Sequence, residues 1–261
     1  MWTYDSHIVF CEPYPLLTLM AAGTSRARLG LWVSNPRTRD PTVTASAFAT
    51  LQNLSGGRMV LGFGQGDSAC RMIGLEPATV DETERAVHVI KDITAGRPTV
   101  WNGIEIRLEW ARAEAPIYVA GSGPRMNALA GRAGDGVVIP VADPVVVRWF
   151  MTQAREAATT SGRDPDTLEF AVSAPTFVSN DVASARDEVR WYPAMVSNWV
   201  GALLERHGDE HALPPELADF VHARRSYNYS EHAQVRPAQW IMSSRASRSS
   251  KPLEYDSGTR T

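Results

Sequence analysis

APIYVAGSGPRMNALAGRAGDGVVIP, residues 115–140, decides the fold. Ile117-Tyr118-Val119-Ala120 is a short apolar β run. Gly121-Ser122-Gly123 is a turn in which a ligand can approach the backbone closely. Pro124 suits the first position of a helix, where its missing N–H costs nothing. Met126 to Ala133 continue that helix, Gly134-Asp135-Gly136 stop it, and Val137-Val138-Ile139 form the next strand. Such a unit aims backbone N–H groups and the positive end of a helix dipole at the space above the first strand, which favours an anion such as phosphate. Arg125 adds a mobile positive charge there. The spacing is not the GxGxxG dinucleotide fingerprint, because Met126 stands where the third glycine would be. An ordinary tight β-to-α connection has the same sequence signature.

Strand and helix signals alternate on both sides of this unit. Upstream, Trp2-Thr3-Tyr4 is the end of a strand, Leu16 to Ala22 a helix, and Arg28 to Ser34 a strand closed by Asn35-Pro36. Pro41 to Leu54 has helical spacing, with Val43, Ala47 and Leu51 on one face. Arg58 to Phe63 is a strand leading into Gly64-Gln65-Gly66-Asp67. Thr79 to Thr94 is a helix that opens on a capping box, Thr79 with Glu82, and turns Val87 and Ile90 to the core. Thr99 to Leu108 is a β-hairpin around Asn102-Gly103, whose residues tolerate the positive φ angles of a type I′ turn. Downstream, a helix runs from Asp143 to about Thr160, a strand from Leu168 to Val178, and a long helix from Asp181 to His207 that Pro193 kinks. This order indicates parallel strands with helical crossovers, in a (β/α) barrel or a doubly wound sheet. Either architecture places its site in the loops after the strands, here rich in Asn, Asp, Gly and Ser.

The chain has 261 residues, 44% hydrophobic and 21% charged, which is ordinary for a soluble globular protein. A net charge of -3 gives no reason to propose nucleic acid or an anionic membrane as a partner. No apolar run is long enough to span a bilayer, and the first fifteen residues lack the regions of a secretory signal. Cys11 and Cys70 show no metal spacing. A reducing cytoplasm is the expected location. From Tyr227 the periodicity fades; Ala238 to Thr261 holds six serines, and 230–261 reads as a low-complexity, disordered tail beyond a partial barrel domain at 1–229.

Five segments carry a family resemblance: WTYDSH at 2–7, LGLWVSNPRTRDP at 29–41, LSGGRMVLGFGQGDS at 54–68, YVAGSGPRMNALAGRAGDGV at 118–137 and SAPTFVSND at 173–181. In this order the chain resembles the luciferase-like monooxygenase superfamily, in its branch that uses the deazaflavin coenzyme F-420 (F420). Relatives elsewhere in the superfamily use FMN. The resemblance implies a TIM (β/α)8-type barrel with the cofactor across the C-terminal ends of the strands. It places Ser34 and Asn35 near the deazaflavin, has Gly64, Gln65, Gly66 and Asp67 line the cofactor pocket, and has Gly121, Ser122, Gly123, Pro124 and Arg125 hold the ribityl-phosphate part. Asp5 corresponds to the aspartate after the second barrel strand. In many F-420-dependent members a histidine follows directly; here Ser6 intervenes before His7. Asp5 and His7 are the expected catalytic pair, able to move the one proton that accompanies hydride transfer.

The resemblance also marks departures. Family members begin with a strand and helix ahead of the WTYDSH region and end with a further strand and helix. The expectation is therefore an incomplete barrel of six strands lacking the first and last. A truncated or frame-shifted product is favoured over a partner, or the tail itself, covering the gap. The implied function is F-420-dependent oxidation or reduction of a small organic substrate; the alternatives are an FMN-dependent monooxygenase and a non-catalytic remnant. A homodimer is the assembly common among relatives. Arg37 and Arg39 read as solvated surface residues. His207 and His211 are spaced for a metal, but Gly208 interrupts the helix between them, and no metal site is expected. Trp32 reads as core, and Ser122 lacks a nucleophile-elbow pattern.

Overall fold

A computed structural model of the chain describes residues 1–121, 123–189 and 192, all within a unit that spans Met1–Tyr227. Ser122, the Pro193 kink, His207, His211 and the tail at 230–261 lie outside the described residues. In chain order the elements are β1 (Trp2–Thr3), α1 (Pro13–Gly23), β2 (Leu29–Ser34), α2 (Pro41–Ser55), β3 (Met59–Phe63), α3 (Asp67–Arg71), α4 (Val80–Thr94), β4 (Thr99–Trp101), β5 (Ile104–Ile106), β6 (Ile117–Ala120), α5 (Pro124–Ala133), β7 (Gly136–Ile139), α6 (Pro144–Thr160), β8 (Glu169–Val172) and α7 (Val182–Val189). Six strands form one sheet in the order β1-β2-β3-β6-β7-β8, and every neighbouring pair is parallel. Strands β4 and β5 form a separate antiparallel hairpin whose turn, Asn102-Gly103, has φ of 51° and 81°. No helix among the described residues is long and apolar enough to cross a membrane.

Local chemistry fixes the crossovers. Asp40 accepts a hydrogen bond from the Thr42 amide at 2.8 Å and Pro41 opens α2; Gly56, at φ 68°, closes it in the left-handed conformation. The Thr79–Glu82 capping box is fully formed at the start of α4. Asp143 caps α6 by accepting from the amides of Val145 and Val146. The helices pack on the outer face of the sheet over Leu29, Leu31, Met59, Leu61, Ile117, Val119, Val137 and Ile139, with Phe48 of α2 and Phe150 of α6 fully buried. Alternate residues point to the inner face, where Val60, Tyr118 and Val138 pack with Trp32, Val33, Ala120 and Ala171.

The sheet is curled into a half-barrel. Three strands separate β2 from β8 in the sheet order. In a flat sheet their ends would stand roughly 19 Å apart. Yet Arg28, just before β2, places Nη1 2.6 Å from Oε2 of Glu169, the first residue of β8. Tyr118 of β6 joins them: it donates to Glu169 at 2.5 Å and accepts from Arg28 at 2.7 Å. This triad spans the inner face at the N-terminal ends of the strands.

Three expectations are corrected. The helix expected from Leu16 starts at Pro13, since prolines are tolerated in a first turn. On α2 the buried face is Thr44, Ala45, Phe48, Ala49, Leu51 and Gln52, while Val43 is 53% exposed. The strand expected from Leu168 to Val178 is Glu169–Val172 alone. Pro175 brings no N–H to a ladder, and Phe177 and Val178 stand exposed.

Candidate functional site

Asp5 lies two residues beyond β1 and is 3% exposed. Ser34, the last residue of β2 and fully buried, donates from Oγ to Asp5 Oδ2 at 2.6 Å. Burial pushes the Asp5 carboxyl above its ordinary range. The Ser34 hydrogen bond and the positive charges of Arg39 and His7 oppose that rise, and Glu12 adds to it. Asp5 is thereby a carboxyl that holds a proton more readily than one in water.

The arc continues along the strand ends. The Ser34 carbonyl accepts from the Gly64 amide at 2.9 Å, joining the end of β2 to the loop after β3. A Cβ on Gly64 would stand 2.9 Å from the Ala120 carbonyl oxygen, so the β3 and β6 loops touch as well. Gly121 follows, and a Cβ there would fall 2.0 Å from that of Met126; the chain passes too close to its own helix for any side chain. Gly123 caps α5 without any side-chain hydrogen bond, and Pro124 is the first helical residue. Arg125 is well exposed, 3.7 Å from Asp81. Asp5, Ser34, Gly64, Gly121, Gly123 and Pro124 thus line one rim.

The other expected residues divide. Asn35 is fully buried and engaged within its own loop, accepting from the amides of Arg37 (3.0 Å) and Thr38 (2.9 Å) and donating to Thr38 Oγ1 (2.9 Å). It also fixes its neighbour: Gly66 has φ 88°, and a Cβ there would lie 2.5 Å from Asn35 Cγ. Gln65 donates to the Ala78 carbonyl at 2.6 Å. Asn35, Gly66 and Gln65 therefore shape the rim from behind. Asp67 is exposed and pairs with Arg71 at 2.6 Å, and His7 is exposed beside Asp5. Inside the mouth, Trp2, Tyr4, Trp32, Ala171, Val172 and Ser173 line a cavity of about 270 Å³. Trp2 and Trp32 meet edge to face with ring centroids 5.4 Å apart; Trp32, half-buried, lines the cavity and packs on the inner cluster of Val60, Tyr118 and Val138. A larger concavity of about 750 Å³, between α2, α4 and the hairpin, contains none of the expected site residues.

Arg39 was expected to be a solvated surface residue, and it is not. Its side chain is three-quarters buried, 3.8 Å from Asp5 Oδ1 and 3.0 Å from Glu12 Oε1, with the guanidinium 4.4 Å over the Tyr14 ring. Its only sequence signal is its place in the motif at 29–41; the partners lie 25 to 34 residues away. Asp135, read as part of a helix stop, is also a partner: its carboxylate accepts from the Ile117 amide and from Lys91, both at 2.8 Å.

A curled parallel α/β sheet with the buried polar residues Asp5, Ser34 and Asn35 at the C-terminal ends of its first two strands is the scaffold of a barrel-type enzyme. A sequence model of the luciferase-like monooxygenase family matches residues 1–239, and the chain belongs to that family. It is 31% identical over 231 residues to a 5,10-methylenetetrahydromethanopterin reductase of Methanolobus tindarius, covering 85% of this chain and 70% of that one. Over 192 residues it is 33% identical to an F420-dependent glucose-6-phosphate dehydrogenase of Kineococcus radiotolerans, covering 68% and 57%. Among solved structures, the coenzyme F420-dependent tetrahydromethanopterin reductase from Methanopyrus kandleri matches with a TM-score of 0.64 at 23% identity, covering 90% of this chain and 74% of that one. The chain thus spans 57% to 70% of the length of these two curated relatives.

Proposed function

We propose that the chain binds coenzyme F420 and acts as an oxidoreductase on a small organic substrate. The observation that carries the proposal is the buried Asp5–Ser34 pair, 2.6 Å apart on the same rim as the Gly121–Arg125 turn. F420-dependent relatives at about a third identity support the choice of cofactor.

The residues present fit a deazaflavin with an anionic tail. The start of α5, whose N-cap Gly123 brings no side-chain cap, offers a helix dipole, and Arg125 offers an exposed guanidinium for a phosphate group. Trp2 and Trp32 supply an aromatic wall at the mouth for a planar ring and keep water from it. When bound, the coenzyme supplies or accepts the hydride. Asp5, whose proton affinity is raised by burial, holds the proton at its carboxyl and passes it to a substrate heteroatom. Ser34 fixes the orientation of that carboxyl.

The test is the affinity of the chain for F420 before and after Arg125→Gln. Loss of one charge-assisted contact to an exposed phosphate predicts about tenfold weaker binding, equivalent to ~1.4 kcal/mol. Equal affinity in both proteins removes the phosphate from this turn. A chain that binds FMN in preference to F420 belongs instead with the flavin-dependent side of the family.

A further inference from the structure

Arg39 is a three-quarters-buried cation beside Asp5, and two carboxylates, Glu12 and Asp5, approach the same Nη2 at unequal distances. It rises from the loop between β2 and α2, and its Nη2 lies 3.0 and 3.2 Å from the two carboxylate oxygens of Glu12. The same Nη2 lies 3.8 Å from Asp5 Oδ1, beyond hydrogen-bond reach but within ion-pair range. The Tyr14 ring lies 4.4 Å beneath the guanidinium, and its Nε is buried with no hydrogen-bond partner. Such a cation has little freedom to leave. Glu12, by contrast, is half exposed and can exchange Arg39 for water.

We propose that Arg39 is a positioning residue for Asp5, and that Glu12 competes with Asp5 for its guanidinium, so that this competition sets the charge state of Asp5. The proposal rests on Asp5 being the proton-handling group of the function above. Among the described residues, every charged or titratable group that faces Asp5 has a defined part. Ser34, from β2, donates a hydrogen bond to Oδ2. Arg39 and His7 favour the carboxylate, and Glu12 disfavours it. Tyr14, from α1, stays neutral because burial raises its hydroxyl well above the ordinary value. With Arg39 drawn to Glu12, Asp5 keeps a proton more readily. With Glu12 neutral or displaced, Arg39 is released toward Asp5, and the carboxylate is favoured. A substrate or cofactor group that engages Glu12 would move the proton balance at Asp5 without touching it.

The test uses the full chain, without cofactor, carrying carbonyl-13C aspartate; the Asp5 signal is assigned by its loss in Asp5→Asn. Its titration midpoint is then read in three variants. Glu12→Gln is an exposed change, safe for folding, and lowers the midpoint. Arg39→Met raises it by about one pH unit, the low end of the effect of an opposite charge within 4–6 Å. Arg39→Lys, which keeps the charge, returns it toward the parent value. A midpoint that is unmoved in Glu12→Gln, or that moves up, overturns the proposal even if Arg39→Met does not fold. F420 affinity is measured on the same samples. Failure to bind F420 would refute the functional reading, while the NMR midpoints still decide the role of Arg39.

Discussion

Ser34→Ala isolates the chemistry at the centre of the site. The substitution removes one oxygen and with it the 2.6 Å hydrogen bond to Asp5 Oδ2. Both residues are buried, so no bulk water replaces the lost donor. A hydrogen bond to an ionised group contributes about 1.5–3 kcal/mol, one between neutral groups about 0.5–1.5 kcal/mol. The loss therefore depends on the state of Asp5. Burial raises the Asp5 carboxyl above its value in the unfolded chain. A raised acid favours the folded state at low pH, and that advantage is lost as pH rises through the folded value. Above that value Ser34 faces a carboxylate, and the substitution costs the larger amount. At about 2–4 °C per kcal/mol for a chain of this size, the melting temperature falls by roughly 3–12 °C at a pH above that value. At a pH below it, with Asp5 protonated, the fall is about half as large. Paired thermal melts of parent and variant at both pH values measure this. A difference that is the same at both, or larger at the lower pH, refutes the assignment of Asp5 as a buried, titrating carboxyl held by Ser34.

The remaining predictions concern the scaffold. Thr79→Ala removes the capping box of α4 and should cost about 1 kcal/mol, read as a shift in urea midpoint at unchanged slope. Phe48→Ala empties a fully buried position between α2 and the sheet and should cost roughly 3–5 kcal/mol by the same assay. Glu169→Gln should cost less than about 1 kcal/mol, because the Arg28–Glu169 pair that spans the half-barrel is more than half exposed. A larger loss there would mean that the triad, rather than the parallel ladder, holds the curl. The Tyr118 hydroxyl, pushed up to about 12 by burial and its bond to Glu169, should remain protonated through any physiological titration and show no phenolate absorbance below pH 10.

What could be read from the sequence followed from local rules. The Asn102-Gly103 turn, the Thr79–Glu82 box and the strand–glycine–helix unit at 117–133 each rest on residues within a few positions of one another. The six parallel strands were legible because each apolar run is followed by a helix of crossover length. Asp5, just after β1, and Ser34, the last residue of β2, were legible as candidate site residues through the resemblance. Their contact was not: 29 residues separate them, and only the sheet register brings Trp2 opposite Gly30 and so sets the two loops side by side. Arg39 was misread for the same reason, since its carboxylates and its aromatic platform all come from the loop after β1 and from α1. The α2 face was misread because Val43 and Ala47 satisfy helical spacing while standing toward the hairpin rather than the sheet. Asn35 shows a related limit: a polar residue after a strand can shape a loop as readily as it meets a ligand.

The central claim is that this rim holds F420. The most direct measurement is titration of the purified chain with F420 and, separately, FMN, following cofactor fluorescence and melting temperature together. A ligand at a hundred times its dissociation constant stabilises the folded state by about 2.7 kcal/mol, which raises the melting temperature by roughly 5–10 °C. The account predicts that rise with F420, a saturable change in its fluorescence, and little response to FMN. A rise with FMN alone, or no response to either, contradicts it.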